Sequence, residues 1–244
     1  MTARPVNVDT QFVSFSGMDG AGKSTQIEAL RAQIERDGLR VLLIRFWDDV
    51  APLTKFRELT GHALFKGDKG VGTPSAPVNR RDKNVRSSPM TVVRLFLYGI
   101  DACSLRAAVK RALRSNADLV IFDRYIYDEL ANLPLANIAI RAYVWLIMKV
   151  VPRPDISYLL DADPVNARER KPEYPLEFLH ANRCSYQTLV ELIGGITIID
   201  AMPIREVEQS ILSCARQRLS FRDGRQIIGV GHLLDEEAKS PSAS

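Results

Sequence analysis

Phe12-Val-Ser-Phe-Ser-Gly17-Met-Asp-Gly-Ala-Gly22-Lys23-Ser24-Thr25 is the stretch whose reading decides the fold. From Gly17 to Ser24 it fits G-x-x-x-x-G-K-[ST] without a gap. Its flanks carry as much information as the pattern. Phe12, Val13 and Phe15 predict a short buried strand, and Ile27, Leu30 and Ile34 recur on one face of a helix that begins near Ser24. In that strand–loop–helix setting the glycines let backbone N–H groups turn toward a polyphosphate, and the helix N-terminus adds partial positive charge. The residues expected to cradle a nucleoside triphosphate are Gly17, Gly20, Ala21, Gly22, Lys23, Ser24 and Thr25. Lys23 is placed to reach the β- and γ-phosphates, and the Ser24 hydroxyl to hold Mg²⁺.

Outward from this loop, Val41-Leu-Leu-Ile-Arg-Phe46 predicts a second buried strand, and a helix containing Phe56, Arg57 and Leu59 follows. Residues 66–89 read as a flexible basic loop, with Lys66, Lys69, Arg80, Arg81, Lys83 and Arg86 set against Asp68 and Asp82. Such a loop is either a solvated segment or a flap over anionic substrates. Met90–Arg114 is a helical run, Asp118–Tyr125 a third strand ending in charges, and Tyr125–Val151 mostly helical with a break near Pro134. A fourth strand runs from Pro154 to Asp161, a charged helical segment interrupted by Pro172 and Pro175 follows, and Ile196–Asp200 is a fifth strand before a last helix. The expected architecture is α/β: a parallel five-stranded sheet of the P-loop NTPase type, with helices on both faces. Residues 1–221 are expected to form this domain, with a lid region at 164–186, and 222–244 a tail.

The 244 residues, 46% of them hydrophobic, suffice for one sizeable core. The longest apolar run, Val144–Met148, is far too short to span a bilayer, and no signal peptide is visible. Cys103, Cys184 and Cys214 are widely spaced and odd in number, which predicts reduced thiols and a cytoplasmic protein. His62, His180 and His232 are scattered and suggest no zinc site. A net charge of +4 fits local phosphate sites better than a nucleic-acid surface.

Two further groups of residues complement the loop. Leu119-Val-Ile-Phe122 ends in Asp123, a carboxylate at the strand terminus beside the expected P-loop, where it can join the Mg²⁺ shell. Arg124 follows, a guanidinium suited to bidentate contact with a phosphate. Arg168, Arg170 and Lys171 cluster just before the proline break, where a closing segment can stabilise charge that develops during transfer.

With these stretches in hand, the chain resembles the thymidylate kinase family of nucleoside monophosphate kinases. The resemblance rests on Phe15–Gln26, Asp123-Arg124-Tyr125, Pro154-Asp155 through Asp161-Ala-Asp-Pro164, and Ile199-Asp200-Ala201, in family order over about residues 12–219. It implies ATP as donor, Mg²⁺ as cofactor, small nucleotides as partners without nucleic acid or membrane, and room for a homodimer. It also implies that Asp19 lies near the acceptor sugar, that Arg124 and Arg57 hold the acceptor phosphate, and that Tyr98 stacks on the base. Gly20 stands where some members carry an arginine, which passes the catalytic cation to Arg168 and Arg170, beside Lys23, Asp19 and Arg124. The chain departs from the family at Trp47-Asp48-Asp49 after strand two, at Asp101-Ala102 in place of a base-reading arginine, and at Asp128 in place of a serine. These departures fall on the acceptor side. The expected activity is transfer from ATP to a nucleoside monophosphate at an altered acceptor site; a kinase of another small molecule and a binding protein with little turnover stay open.

Overall fold

The computed structural model describes residues 10–52 and 88–220. Five parallel strands form one sheet in the order β2-β3-β1-β4-β5. They are β1 (Gln11–Ser16), β2 (Val41–Arg45), β3 (Leu119–Asp123), β4 (Ile156–Leu160) and β5 (Ile196–Ile199). The helices are α1 (Lys23–Arg36), α2 (Ser88–Ala112), α3 (Ile126–Leu130), α4 (Ile138–Val150), α5 (Pro164–Arg170), α6 (Leu176–Ile193) and α7 (Ile204–Arg218). This is a P-loop NTPase fold.

Alternation along the strands explains why both faces are covered. Val13 and Phe15 of β1, Leu119 and Ile121 of β3, and Ile156, Tyr158 and Leu160 of β4 point to one face, where they meet Ile27, Leu30 and Ile34 of α1 and Val207 and Ile211 of α7. The intervening Phe12, Val120, Phe122 and Leu159 point to the other, against residues of α2, α4 and α6 such as Leu105, Val144 and Leu189. Tyr125, fully buried, sits edge-on to Phe122 with ring centroids 5.5 Å apart.

The second strand ends one residue before the expected Phe46. Residues Phe46–Val50 instead form a single π-helical turn, in which Asp49 Oδ2 accepts from the Arg45 N–H at 2.7 Å. Phe46 is buried in this turn, edge-on to Trp47. The helical stretch after β3 breaks between α3 and α4 around Pro134, and α4 restarts with Asn137 accepting from the Ala139 N–H at 2.8 Å. The helix expected around Phe56, the 66–87 part of the basic loop and the 222–244 tail lie outside the described residues.

Candidate active site

β1 delivers Ser16 to the carboxyl edge of the sheet, and the chain then passes through Gly17, Gly20 and Gly22 at φ 139, 84 and 88°. Two of these cannot carry a side chain for a second reason. A Cβ on Gly17 would stand 2.5 Å from the Leu160 carbonyl oxygen, and one on Gly20 would run into the Ala167 carbonyl oxygen of α5. The loop is therefore packed beneath the segment that follows β4. Gly22 starts α1 without a side-chain cap, and the hydroxyls of Ser24 and Thr25 are exposed on its first turn.

Lys23 is buried, and its Nζ donates to the carbonyl oxygens of Gly17 at 2.7 Å and Met18 at 2.9 Å. Burial pushes its pKa down from 10.5 to about 8, and the Arg124 charge adds to the effect against the pull of Asp19, Asp128 and Asp123. Arg124 is the one described non-glycine residue with positive φ, at 70°. Its N–H still donates to the Phe15 carbonyl oxygen at 3.0 Å, which extends the β1–β3 ladder by one residue before the side chain is re-aimed. Its guanidinium pairs with Asp19 and approaches Asp128 Oδ1 at 3.5 Å. Burial disfavours the arginine charge, but Asp19 and then Asp128 outweigh it and raise the pKa.

Asp128 is the hub of the site. Its Oδ2 accepts from the Ser16 hydroxyl at 2.7 Å and the Tyr125 N–H at 3.1 Å. Its Oδ1 accepts from the Tyr186 hydroxyl at 2.8 Å, the Gly17 N–H at 3.2 Å and Arg124. One carboxylate thus joins the end of β1, the first residue of the loop, the end of β3 and α6. Burial and the Asp128 charge both push the Tyr186 phenol well above its usual range.

From above, α5 closes on this base. Asp163 caps it by accepting from the Asn166 N–H at 3.3 Å, with Pro164 in its first turn. Arg170 places a guanidinium nitrogen 3.9 Å from where a Cβ on Gly22 would stand. Lys171 lies 3.7 Å from Asp19 and 3.1 Å from Glu173. Arg183, part of the mixed-charge segment in the sequence, is held instead by a bidentate pair with Asp161 at the end of β4.

No protein-family model matches the chain. Among curated proteins, a probable thymidylate kinase of Methanosphaera stadtmanae is 26% identical over 203 residues, covering 81% of this chain and 93% of the relative. A thymidylate kinase of Bifidobacterium longum is 32% identical over 164 residues, 65% of this chain and 70% of the relative. The chain belongs to the thymidylate kinase family. The thymidylate kinase family fold is seen again in the crystal structure of thymidylate kinase from Ehrlichia chaffeensis, which superposes with a TM-score of 0.54 at 20% identity, over 84% of this chain and 97% of that one. As a thymidylate kinase family member the protein is a phosphotransferase of the nucleoside monophosphate kinase type, and the family implies ATP as phosphoryl donor. No described helix is long and apolar enough to cross a membrane.

Of the residues expected in a thymidylate kinase-like site, the structure brings Asp19, Lys23 and Arg124 into one charged cluster, with Asp123 close enough to act on the Lys23 charge. Arg168 is half-buried and Arg170 exposed on α5. Tyr98 does not join them. It is 4% exposed and packed among the core residues of α2, as is Ala102, and among the described residues none from α2 lines the cleft at Arg124. Arg57 lies outside the described residues. Sequence reasoning left out Asp128 as a structural hub, Lys171 as a partner of Asp19, and Tyr186, Asn132 and Asn182, which line the cleft with Arg124. The Arg124–Asp128 spacing of i,i+4 was the available signal for the first of these.

Proposed function

We propose that the protein transfers the γ-phosphoryl group of ATP to a nucleoside monophosphate at an acceptor site altered from that of a thymidylate-specific enzyme. The observation that carries this reading is the cluster of Lys23, Asp19, Arg124 and Asp128 at the carboxyl edge of the sheet, where the loop meets the end of β3.

Phosphoryl transfer needs placement and charge neutralisation more than covalent chemistry from the protein. The main-chain N–H groups of the glycine loop and first turn of α1 take the β-phosphate. Lys23, now held by two carbonyl oxygens, exchanges those for β- and γ-oxygens. Ser24, exposed on the first turn of α1, and Asp123, at the end of β3, are the residues that would hold Mg²⁺. One or two protein oxygens with water and phosphate completing the shell is the usual arrangement for this ion, which when bound neutralises charge on the β- and γ-phosphates. Arg124 holds the acceptor phosphate, and its two carboxylate partners fix where that phosphate sits. Arg168 and Arg170, on the segment that covers the loop, supply positive charge to the transferring group. Asp128 beside Arg124 sets this acceptor site apart. The test is ADP release in the presence of Mg²⁺ and ATP across a panel of nucleoside monophosphates and unphosphorylated nucleosides. Release that depends on one monophosphate supports the reading; none above the acceptor-free rate overturns it.

A further inference from the structure

Two cations converge on one carboxylate oxygen in the glycine loop. Asp19 Oδ1 pairs with the Arg124 guanidinium from the end of β3, and Lys171 Nζ stands 3.7 Å from the same oxygen. Lys171 also lies 3.1 Å from Glu173, so it is shared between two acids. Its approach is set by the main chain. The Lys171 N–H donates to the Ala167 carbonyl oxygen at 3.0 Å, and its own carbonyl oxygen accepts from the Glu173 N–H at 2.9 Å. That Ala167 oxygen is the atom packed against Gly20, the neighbour of Asp19 in the loop. The Asp19 side chain is 11% exposed and the Lys171 side chain 39%, so the carboxylate is largely out of water while the lysine keeps room to move.

We propose that Lys171 is a positioning residue for the acceptor, which takes over Asp19 when the acceptor phosphate draws the Arg124 guanidinium away. This rests on the phosphotransferase reading of the site, in which Arg124 holds that phosphate. One guanidinium cannot keep its full hold on Asp19, Asp128 and an incoming phosphate together. Asp128 retains its bonds from Ser16, Gly17, Tyr125 and Tyr186. Asp19 loses a charged partner where little water can replace it, and a buried carboxylate resists such a loss. Lys23, whose charge also feels Asp19, is committed to the Gly17 and Met18 carbonyl oxygens and then to the donor phosphates. Lys171 is the cation at hand. An ammonium has three N–H donors, so it can close on Asp19 without releasing Glu173. The handover also ties occupancy of the acceptor site to the position of the segment that covers the loop.

The test is calorimetric titration of the full chain with adenosine, guanosine, cytidine, uridine and thymidine monophosphates, continued with whichever binds most tightly. Lys171→Met weakens that binding by about 5- to 30-fold, between the effect of an exposed ion pair and that of a fully buried one. Lys171→Arg restores it to within about threefold, because a cation is kept at nearly the same reach. In an Asp19→Asn background, Lys171→Met changes binding by less than about twofold, since no carboxylate then needs the second cation. Lys171→Met deprives Glu173 of a partner in both backgrounds, free and bound alike, so any loss of stability cancels in this comparison. Equal weakening in both backgrounds overturns the inference and assigns Lys171 to the phosphate itself or to the fold. So does binding that Lys171→Met leaves unchanged, or a wild type that binds none of the five. A crystal structure of the wild type with bound monophosphate needs no variant to fold; Arg124 on the phosphate with Lys171 gone from Asp19 also overturns it. The full pattern in binding without ADP release upholds this inference and overturns the phosphotransfer reading. ADP release with binding indifferent to Lys171 does the reverse.

Discussion

Asp128 and Tyr186 lie 58 positions apart and meet at 2.8 Å beneath the first residue of the glycine loop. The phenol of α6 is thereby bound to the carboxylate that also holds Ser16, Gly17, Tyr125 and Arg124. A carboxylate can only accept when ionised, and here the donors around it are two main-chain N–H groups, two hydroxyls and one guanidinium. The bond from α6 therefore transmits the position of the segment after β4 to the loop and to Arg124 together. Donor and acceptor halves of the site share this one anchor.

Asp128→Ala should destabilise the fold by about 3–5 kcal/mol, the range for removing one partner of a buried charged network and leaving the other unpaired. Urea unfolding measures this directly. Asp128→Ser, which restores one hydroxyl acceptor for the N–H groups, should recover part of the loss. A Ser variant no more stable than the Ala variant counts against the hub.

Lys23 gives a pH signature. Its pKa of about 8 in the folded protein lies below its ordinary 10.5, so above pH 8 the native state has released a proton that the unfolded chain still binds. Below pH 8 both states are protonated and the full penalty of burying the cation stands. Between about pH 8 and 10 that penalty is relieved, and wild-type stability rises relative to Lys23→Met by at most about 1.4 kcal/mol per pH unit. Chemical denaturation of both proteins at pH 7, 8, 9 and 10 checks it; parallel curves refute the assignment. Turnover of Lys23→Met should be abolished at every pH, since the cation aimed at the β- and γ-phosphates is gone.

How much of this was legible in the sequence depends on the distance over which each feature is made. The glycine loop is local, and its pattern, flanking strand and helix fold as read. The five strands show as apolar runs because both faces of the sheet are covered, which makes alternation unnecessary and continuous hydrophobicity the signal. Asp128 appears in the sequence only as an odd residue after Asp-Arg-Tyr, because Ser16 and Tyr186 reach it from 112 and 58 positions away. Arg183 shows in the sequence only as one more charge of the expected lid region, and only the fold reveals Asp161 opposite it. Tyr98 is a stacking aromatic only by the family resemblance. Which side of α2 faces the core is set by packing against Tyr125 and its neighbours, and that is where Tyr98 lies.

Replacing Arg168 and Arg170 together should lower kcat by on the order of 10³-fold while changing the KM for ATP far less. The argument is positional. Both are on the short helix whose Ala167 carbonyl presses on Gly20, and Arg170 reaches toward Gly22 without an ion-pair partner among the described residues. A cation that meets the phosphates when this segment is closed acts on the transition state more than on bound ATP. A double variant with altered KM for ATP and unaltered kcat removes these residues from the catalytic step.

Thymidylate should be a poor acceptor, turned over at a small fraction of the kcat/KM of the best monophosphate. The turn of α2 that the family resemblance aims at the base carries Asp101 and Ala102, which are 0% and 1% exposed, so neither offers a donor to a carbonyl edge. Arg106, one turn further on, is not available to replace it, because its guanidinium donates to the Val150 carbonyl oxygen at 2.9 Å. A site that lacks the donor loses the selectivity that such a bond confers, which reaches roughly 10⁴-fold where a site is built around it. The second carboxylate on Arg124 adds a cost, since any acceptor phosphate must compete with Asp128 as well as Asp19 for the guanidinium. Asp128→Ser should change the KM for every monophosphate by the same factor, because it alters the hold on Arg124 without touching base recognition. The measurement is coupled ADP release with thymidylate and the other monophosphates for the wild type and Asp128→Ser. Thymidylate ranking first in the wild type would sink this prediction and return the acceptor site to the ordinary function of the family.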